Sequence, residues 1–271
     1  MATYKLADPT PQAIQQELSS YSPFLQQLLH QRGVVTAQEA HAFINPSYEE
    51  HLHDPFLLHD MNRATKRILR AIQSKEQIAI YSDYDCDGIP GAVVLHDFFH
   101  AIDHAAFQNY IPHRHYKGFG FNSEAVRKLA EQKVTLIITI DCGTTDVEAV
   151  AVAKELGIDV IITDHHEPKE VLPDAYAIVN PKLGDSYPFS GLCGSGVVYK
   201  LVQALITEGK KNKIVTLKEG WEKWWLDMVG LATIADMVPL VGENRVLAHF
   251  GLQVLRKSRR LGLQHLLYAK T

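Results

Sequence analysis

Ile78-Ala79-Ile80-Tyr81-Ser82-Asp83-Tyr84-Asp85-Cys86-Asp87-Gly88 joins an apolar run directly to a cluster of carboxylates and then to a glycine. Two later stretches repeat the design: Asp141-Cys142-Gly143 closes Leu136 to Ile140, and Asp164-His165-His166 closes Ile158 to Thr163. In an open α/β sheet, ligands bind beyond the carboxyl ends of the strands. Three strands ending this way would bring carboxylates distant in sequence to one place. Such groups repel and raise one another's pKa unless a cation neutralises them. The pattern predicts a metal site at the edge of a parallel sheet.

Working outward, strands are expected at Ala106 to Ile111, Val134 to Ile140, Ile158 to Thr163 and Ala175 to Val179, with helical patterns at Ala92 to Ala101, Glu124 to Glu131 and Val147 to Leu156. The strands are rich in Ile and Val without polar alternation, as expected of a parallel sheet buried on both faces by helices. A helix from about Asp60 to Gln73, with Ile68, Leu69 and Ile72 on one face, leads into the first strand. Before it, Thr10-Pro11 suggests an N-cap followed by proline at the first helical position, and Thr36-Ala37-Gln38-Glu39 has capping-box spacing. The fold class is therefore α/β: a parallel sheet covered by helices, with a small helical N-terminal lobe and a helical C-terminal part. The latter comprises Val197 to Ile206, Trp221 to Ile234, Val246 to Leu255 and a start near Leu263. Gly209-Lys210-Lys211-Asn212-Lys213 is expected as a solvated basic loop.

A chain of 271 residues, 46% hydrophobic and 21% charged, suits an ordinary globule with a sizeable core. No stretch approaches the roughly 18 apolar residues of a membrane span, and Met1-Ala2-Thr3-Tyr4-Lys5 lacks a signal pattern. The cytoplasm is the expected compartment. Three cysteines without Cys-x-x-Cys spacing suggest neither a disulfide framework nor a thiolate zinc site. A net charge of −4 argues against a protein that grips duplex DNA mainly through phosphates, so any nucleic-acid contact must be local or shared with another domain.

Asp83 and Asp85, two apart, share a face if the backbone is extended. Asp141 would be partly dehydrated at its strand end, or else would cap a helix from Thr144 onward. In Asp164-His165-His166-Glu167, imidazole and carboxylate together suit manganese, zinc or iron, and the lack of thiolates argues against structural zinc. Cations alternate with aromatics in Pro112-His113-Arg114-His115-Tyr116-Lys117-Gly118-Phe119-Gly120-Phe121, which suits single-stranded nucleic acid. Gly191-Leu192-Cys193-Gly194-Ser195-Gly196 before a helix could offer backbone amides to a phosphate. Arg256-Lys257-Ser258-Arg259-Arg260 reads equally well as the cationic end of a helix.

Together with Thr139 to Gly143 (TIDCG), Leu192 to Lys200 (LCGSGVVYK) and Leu231 to Leu240 (LATIADMVPL), these stretches resemble, over nearly the whole chain, the DHH phosphoesterase superfamily and within it the RecJ-type single-strand exonucleases. The resemblance implies two divalent ions, manganese first and magnesium as the alternative. Asp83 would hold one ion and Asp85 the other, Asp141 would bridge them, and His165 and Asp236 would complete the second. It further implies that His166 faces the scissile phosphate as donor or acid, that Asp164 orients its neighbours, and that Arg114, Lys117, Gly194 and Ser195 contact substrate. The expected activity is single-stranded-DNA-specific 5′ to 3′ hydrolysis releasing mononucleotides, in DNA repair or recombination, with single-strand-binding or other repair proteins as candidate partners. The rivals are a small-nucleotide phosphodiesterase or pyrophosphatase on the same site, and a non-catalytic replication or repair scaffold.

Three positions depart from the family pattern: Tyr81 stands where a histidine ligand is common, Pro90 where Ser or Thr is usual, and Cys86 where alanine is commoner. The expected organisation is a helical lobe over 1–59, the DHH α/β domain over 60–255, and the start of a connecting helix over 256–271. In the family that helix leads to a DHH-associated domain, so the chain is expected to be a core without that domain or a short relative.

Overall fold

The computed structural model describes residues 6–113 and 120–268. Near the N-terminus, α1 (Gln12–Glu17), α2 (Pro23–His30) and α3 (Ala37–Ile44) close over a small core of Leu18, Leu29, Val34 and Ala40. The capping box forms: the Thr36 hydroxyl accepts from the Glu39 amide, and the Glu39 carboxylate accepts from the amides of Thr36 and Val35. The Thr10 cap does not. Pro11 takes the capping position, and the Thr10 hydroxyl and amide both donate to Gln27 Oε1, tying the start of α1 to α2.

After α4 (Met61–Ser74) come β1 (Ile78–Ser82), α5 (Gly88–Ala101), β2 (Phe107–Tyr110), α6 (Ser123–Glu131), β3 (Leu136–Ile140), α7 (Val147–Glu155), β4 (Asp159–Thr163) and β5 (Ala177–Val179). The five strands form one sheet in the order β2-β1-β3-β4-β5, every neighbour parallel. Alternate strand residues feed two cores. Ile78, Ile80, Leu136, Ile138 and Ile140 pack with α4, α5 and α8 (Gly194–Lys211). Ala79, Tyr81, Ile137 and Ile162 pack with α6 and α7 on the other face. Burial on both faces explains the largely apolar strands β1, β3, β4 and β5, whereas β2, at the sheet edge, carries Gln108 and Asn109 and is only half-buried.

The register decides the site. Ser82 pairs with Ile140 and Ile140 with Thr163, so the next residues, Asp83, Asp141 and Asp164, stand side by side. Each continues the ladder: the Asp83 amide donates to Ile140 O, Asp141 to Thr163 O, and Asp164 to Val179 O, at 2.9–3.1 Å.

The C-terminal part departs from expectation in three places. The span Trp221 to Ile234 divides into a 3₁₀ turn, Trp221–Trp225, and α9 (Leu226–Ala235). The expected loop at 209–213 is partly the last turn of α8, whose Gly209 is buried so closely that a Cβ would lie 2.5 Å from Val215. α10 (Gly242–Leu255) ends at Leu255 as expected, with Arg256 in the capping position, but Arg260 of the basic cluster pairs with Asp227 and Asp97 instead of serving that helix end, at the approach to α11 (Leu261–Tyr268). Among the described residues no helix is long and apolar enough to cross a membrane.

Candidate metal centre

β1 stops at Ser82, so Asp83 and Asp85 meet through a turn, not through the pleat expected from their spacing. Asp83 is buried, while Asp85 is exposed and its Oδ1 accepts from the amides of Asp87 (3.1 Å) and Gly88 (2.9 Å), shaping the entry to α5. Pro90 lies in the first turn of α5, where a backbone N–H has no partner within the helix, so its missing donor does no harm.

Asp141 is the centre of the arrangement. Only 2% exposed, it sits at φ +60, a left-handed conformation that turns its side chain out of the strand direction, and it caps no helix. Among the described residues its buried Oδ1 finds no hydrogen-bond donor, although His165 Nε2 lies 3.2 Å away. Burial, then the nearby carboxylates of Asp87, Asp85 and Asp164, push its pKa up to about 10. A Cβ at Gly194 would lie 2.7 Å from the Asp141 carboxylate, so only glycine lets α8 begin this close.

Among the described residues, three sets of donor atoms lie within 4.8 Å of one another: Asp83, Asp85 and Asp141; Asp141, His165 and His166; and Asp87, His165 and Asp236. Asp141 belongs to two of them, as a bridging ligand would. Asp85 falls with Asp83, not with His165 and Asp236 as the resemblance implied. Asp236 follows α9 directly, its Oδ2 3.9 Å from His165 Nε2, and burial followed by Asp87 raises its pKa. A buried carboxylate oxygen lacking a donor, ringed by further carboxylates and an imidazole, fits divalent cations of mixed oxygen and nitrogen preference.

Asp87 was not anticipated. It is fully buried, with Oδ2 3.6 Å from His165 Nε2, and its carboxylate accepts from the amides of Gly194 and Ser195, the latter at 2.8 Å. The Ser195 hydroxyl donates to Asp87 O at 2.6 Å. This corrects the substrate reading of Gly194 and Ser195: the amides expected to hold a phosphate already serve an internal carboxylate, and Ser195 is buried. The two-residue alternation Asp83, Asp85, Asp87 was the available signal.

Asp164 holds the histidines. Its Oδ1 accepts from the amides of His165 and His166 and lies 2.7 Å from His166 Nδ1, while Oδ2 accepts from the Thr144 amide. His166 is 57% exposed, and the bond to Asp164 raises its pKa. Asp83, Gly120, Asp141, Asp146, Asp164 and His166 share one cavity of about 330 Å³. Arg114 and Lys117 lie outside the described residues.

A family model described as "DHH family, N-terminal domain" matches residues 77–233. The chain is 43% identical, over 91% of its length, to the single-stranded-DNA-specific exonuclease RecJ of Bacillus subtilis, and 31% identical over 90% to RecJ of Escherichia coli. It spans only 30% and 42% of those relatives' own lengths. Among solved structures, RecJ of Thermus thermophilus in complex with Mn²⁺ superposes with a TM-score of 0.75 at 26% identity, over 95% of this chain and 35% of that one. An exonuclease RecJ bound to manganese superposes with a TM-score of 0.69 at 31% identity, over 78% and 52% of the two chains.

Proposed function

This chain belongs to the DHH family, and from that premise we propose that it is the catalytic core of a metal-dependent, single-stranded-DNA-specific exonuclease. It hydrolyses phosphodiester bonds from the 5′ end and releases mononucleotides. The observation that carries the reading is the buried Asp141 carboxylate, unpartnered at Oδ1 among the described residues and common to two of the candidate ligand sets. Support for the substrate comes from the relatives named RecJ, and support for manganese from the solved relatives that hold it, with magnesium as the alternative.

Asp83, Asp85 and Asp141 would hold one ion; for the other, the resemblance assigns His165 and Asp236, with Asp141 shared, and His165 Nε2 has Asp141, Asp87 and Asp236 around it at 3.2, 3.6 and 3.9 Å. Bound there, the pair would lower the pKa of a water, align it for in-line attack and neutralise the attacking and leaving oxygens. The protein's own part centres on His166. Asp164, ionised, fixes its Nδ1 and favours the imidazolium, which leaves Nε2–H to donate to a phosphoryl oxygen. Arg114 and Lys117 are proposed to contact the strand. A cytoplasmic setting accords with the free thiols of Cys86, Cys142 and Cys193. A DHH-associated domain and single-strand-binding or other repair proteins belong to the proposal as partners.

The test is degradation of a single-stranded DNA oligonucleotide, labelled separately at each end, with manganese and with Asp141→Ala as control. Mononucleotide released first from the 5′ end, and no release by the variant, is the expected result. Preference for dinucleotides or pyrophosphate would move the assignment to a small-nucleotide phosphodiesterase or pyrophosphatase. Full activity of Asp141→Ala would overturn the metal assignment.

A further inference from the structure

Tyr81 lies on β1 two residues before Asp83, and its hydroxyl is committed to the far wall of the cleft. It donates to Gly120 O at 2.8 Å and accepts from Asn122 Nδ2 at 2.9 Å. Its ring stacks on Tyr110 at 5.4 Å and meets the edge of Phe121 at 5.0 Å, so the phenol has little freedom. A second anchor comes from the loop after β3: Asp146, five residues beyond Asp141, accepts from the Phe121 amide at 2.8 Å. A Cβ at Gly120 would lie 3.0 Å from that carboxylate. The three residues 120–122 are thus tied to the same two strand ends that carry Asp83 and Asp141. Gly120 lines the cavity those carboxylates share. Asn122 serves both sides of the joint, since its Oδ1 also caps α6 through the Ala125 amide.

We propose that Tyr81, with Asp146 as second anchor, is a positioning residue for the nucleic-acid strand, setting where the Gly120–Asn122 wall stands relative to Asp83 and Asp141. This rests on the exonuclease reading and deepens it. A tyrosine at this position gives this chain a structural tie to its substrate wall. The width of the cleft entered by the terminal nucleotide is then fixed by two hydrogen bonds to a rigid strand. Misplacement of substrate-positioning groups by an ångström is enough to lower turnover or affinity substantially.

The experiment compares wild type with Tyr81→Phe, which keeps the ring and loses the hydroxyl, and with Asn122→Ser, which keeps a helix-capping oxygen and loses the amide donor. Steady-state cleavage of a single-stranded oligonucleotide is measured with manganese, and Mn²⁺ binding without DNA by calorimetry. The expected result is a roughly three- to tenfold rise in KM in each variant, as for loss of one or two hydrogen bonds, with the effect on KM and not kcat and with Mn²⁺ affinity unchanged. Wild-type KM in both variants, or a loss confined to Mn²⁺ affinity, overturns the proposal while leaving the exonuclease reading intact. A wild-type protein that neither binds nor cuts the oligonucleotide overturns that reading, and the proposal with it.

Discussion

Oδ1 of Asp164 lies 2.7 Å from Nδ1 of His166 and accepts the amide protons of His165 and His166 as well. Burial alone would raise the Asp164 pKa, but the His166 hydrogen bond and charge, with the Thr144 amide, outweigh it and hold the carboxyl at about 2. An ionised carboxylate only accepts, so the imidazole donates and its cationic form is favoured. Activity that needs the imidazolium is complete below the raised His166 pKa and falls as pH rises through it. Asp164→Asn removes the charge that raises this pKa, so the fall should begin at lower pH, with kcat down by about 10². The pH dependence of kcat for both proteins checks this. An unmoved alkaline limb would assign it to another group.

The same carboxyl has a stability signature of opposite sign. Because its folded pKa lies below the ordinary 3.8, Asp164 stabilises the protein above that value, and the contribution is lost as pH falls through about 2. Asp141, raised to about 10, behaves in reverse: without metal, the unfolded chain ionises above 3.8 while the folded carboxyl keeps its proton. Stability of the metal-free protein should therefore decline as pH rises from about 4 toward 10. Asp141→Asn should raise its Tm by roughly 3 °C or more at pH 8 while abolishing turnover. Added Mn²⁺ should stabilise wild type and leave the variant nearly unmoved. Thermal unfolding with and without Mn²⁺ decides the matter, and an Asn variant less stable than metal-free wild type would sink the argument.

The sheet and the carboxylates at its edge were legible because three of its strands, β1, β3 and β4, are largely apolar runs ended by an acidic residue, Asp83, Asp141 and Asp164. What register adds is alignment: Ser82, Ile140 and Thr163 finish level with one another. Asp236 was beyond physical reading, since it closes an apolar helix like any capping carboxylate, and only the resemblance singled it out. Asp87 was missed because its role depends on a contact with Gly194 and Ser195, over a hundred residues away in the chain. The same contact explains why the glycine-flanked turn misled: its amides were rightly expected to hold an anion, but the anion is a side chain. The Tyr81 tie to Gly120 has no sequence signature at all, because a tyrosine in a buried strand is ordinarily just core.

Lys200 and Glu243 form an ion pair of 2.5 Å in which neither side chain is exposed. Lys200 Nζ also donates to His53 O, and Glu243 accepts from the His53 amide and the Tyr187 hydroxyl, so the pair fastens the segment after the N-terminal lobe to α8 and α10. Burial lowers the lysine pKa, with Glu243 opposing it. Lys200→Met leaves a buried carboxylate without its cation and should lower stability by about 3–5 kcal/mol. Adding Glu243→Gln should recover part of the loss. Urea unfolding of the two variants measures this, and a single variant within about 0.5 kcal/mol of wild type would show the pair to be dispensable.

Gly230 of α9 and Gly251 of α10 cross so closely that a Cβ on Gly230 would lie 2.6 Å from the Gly251 Cα. Any side chain there must push the helices apart, and α9 leads straight into Asp236, whose Oδ2 lies 3.9 Å from His165 Nε2. Gly230→Ala should therefore act twice: a loss of roughly 1–3 kcal/mol from overpacking, and weaker Mn²⁺ binding because Asp236 shifts with its helix. Gly262→Ala is the matched control, since an added methyl there meets nothing within 4 Å among the described residues and sits in a helix. It should be neutral or stabilising by up to about 1 kcal/mol, with unchanged metal affinity. Calorimetric Mn²⁺ titration alongside urea unfolding separates the two effects. Destabilisation of Gly230→Ala with wild-type Mn²⁺ affinity would mean that the Asp236 end of α9 is held by its other contacts and not by the crossing.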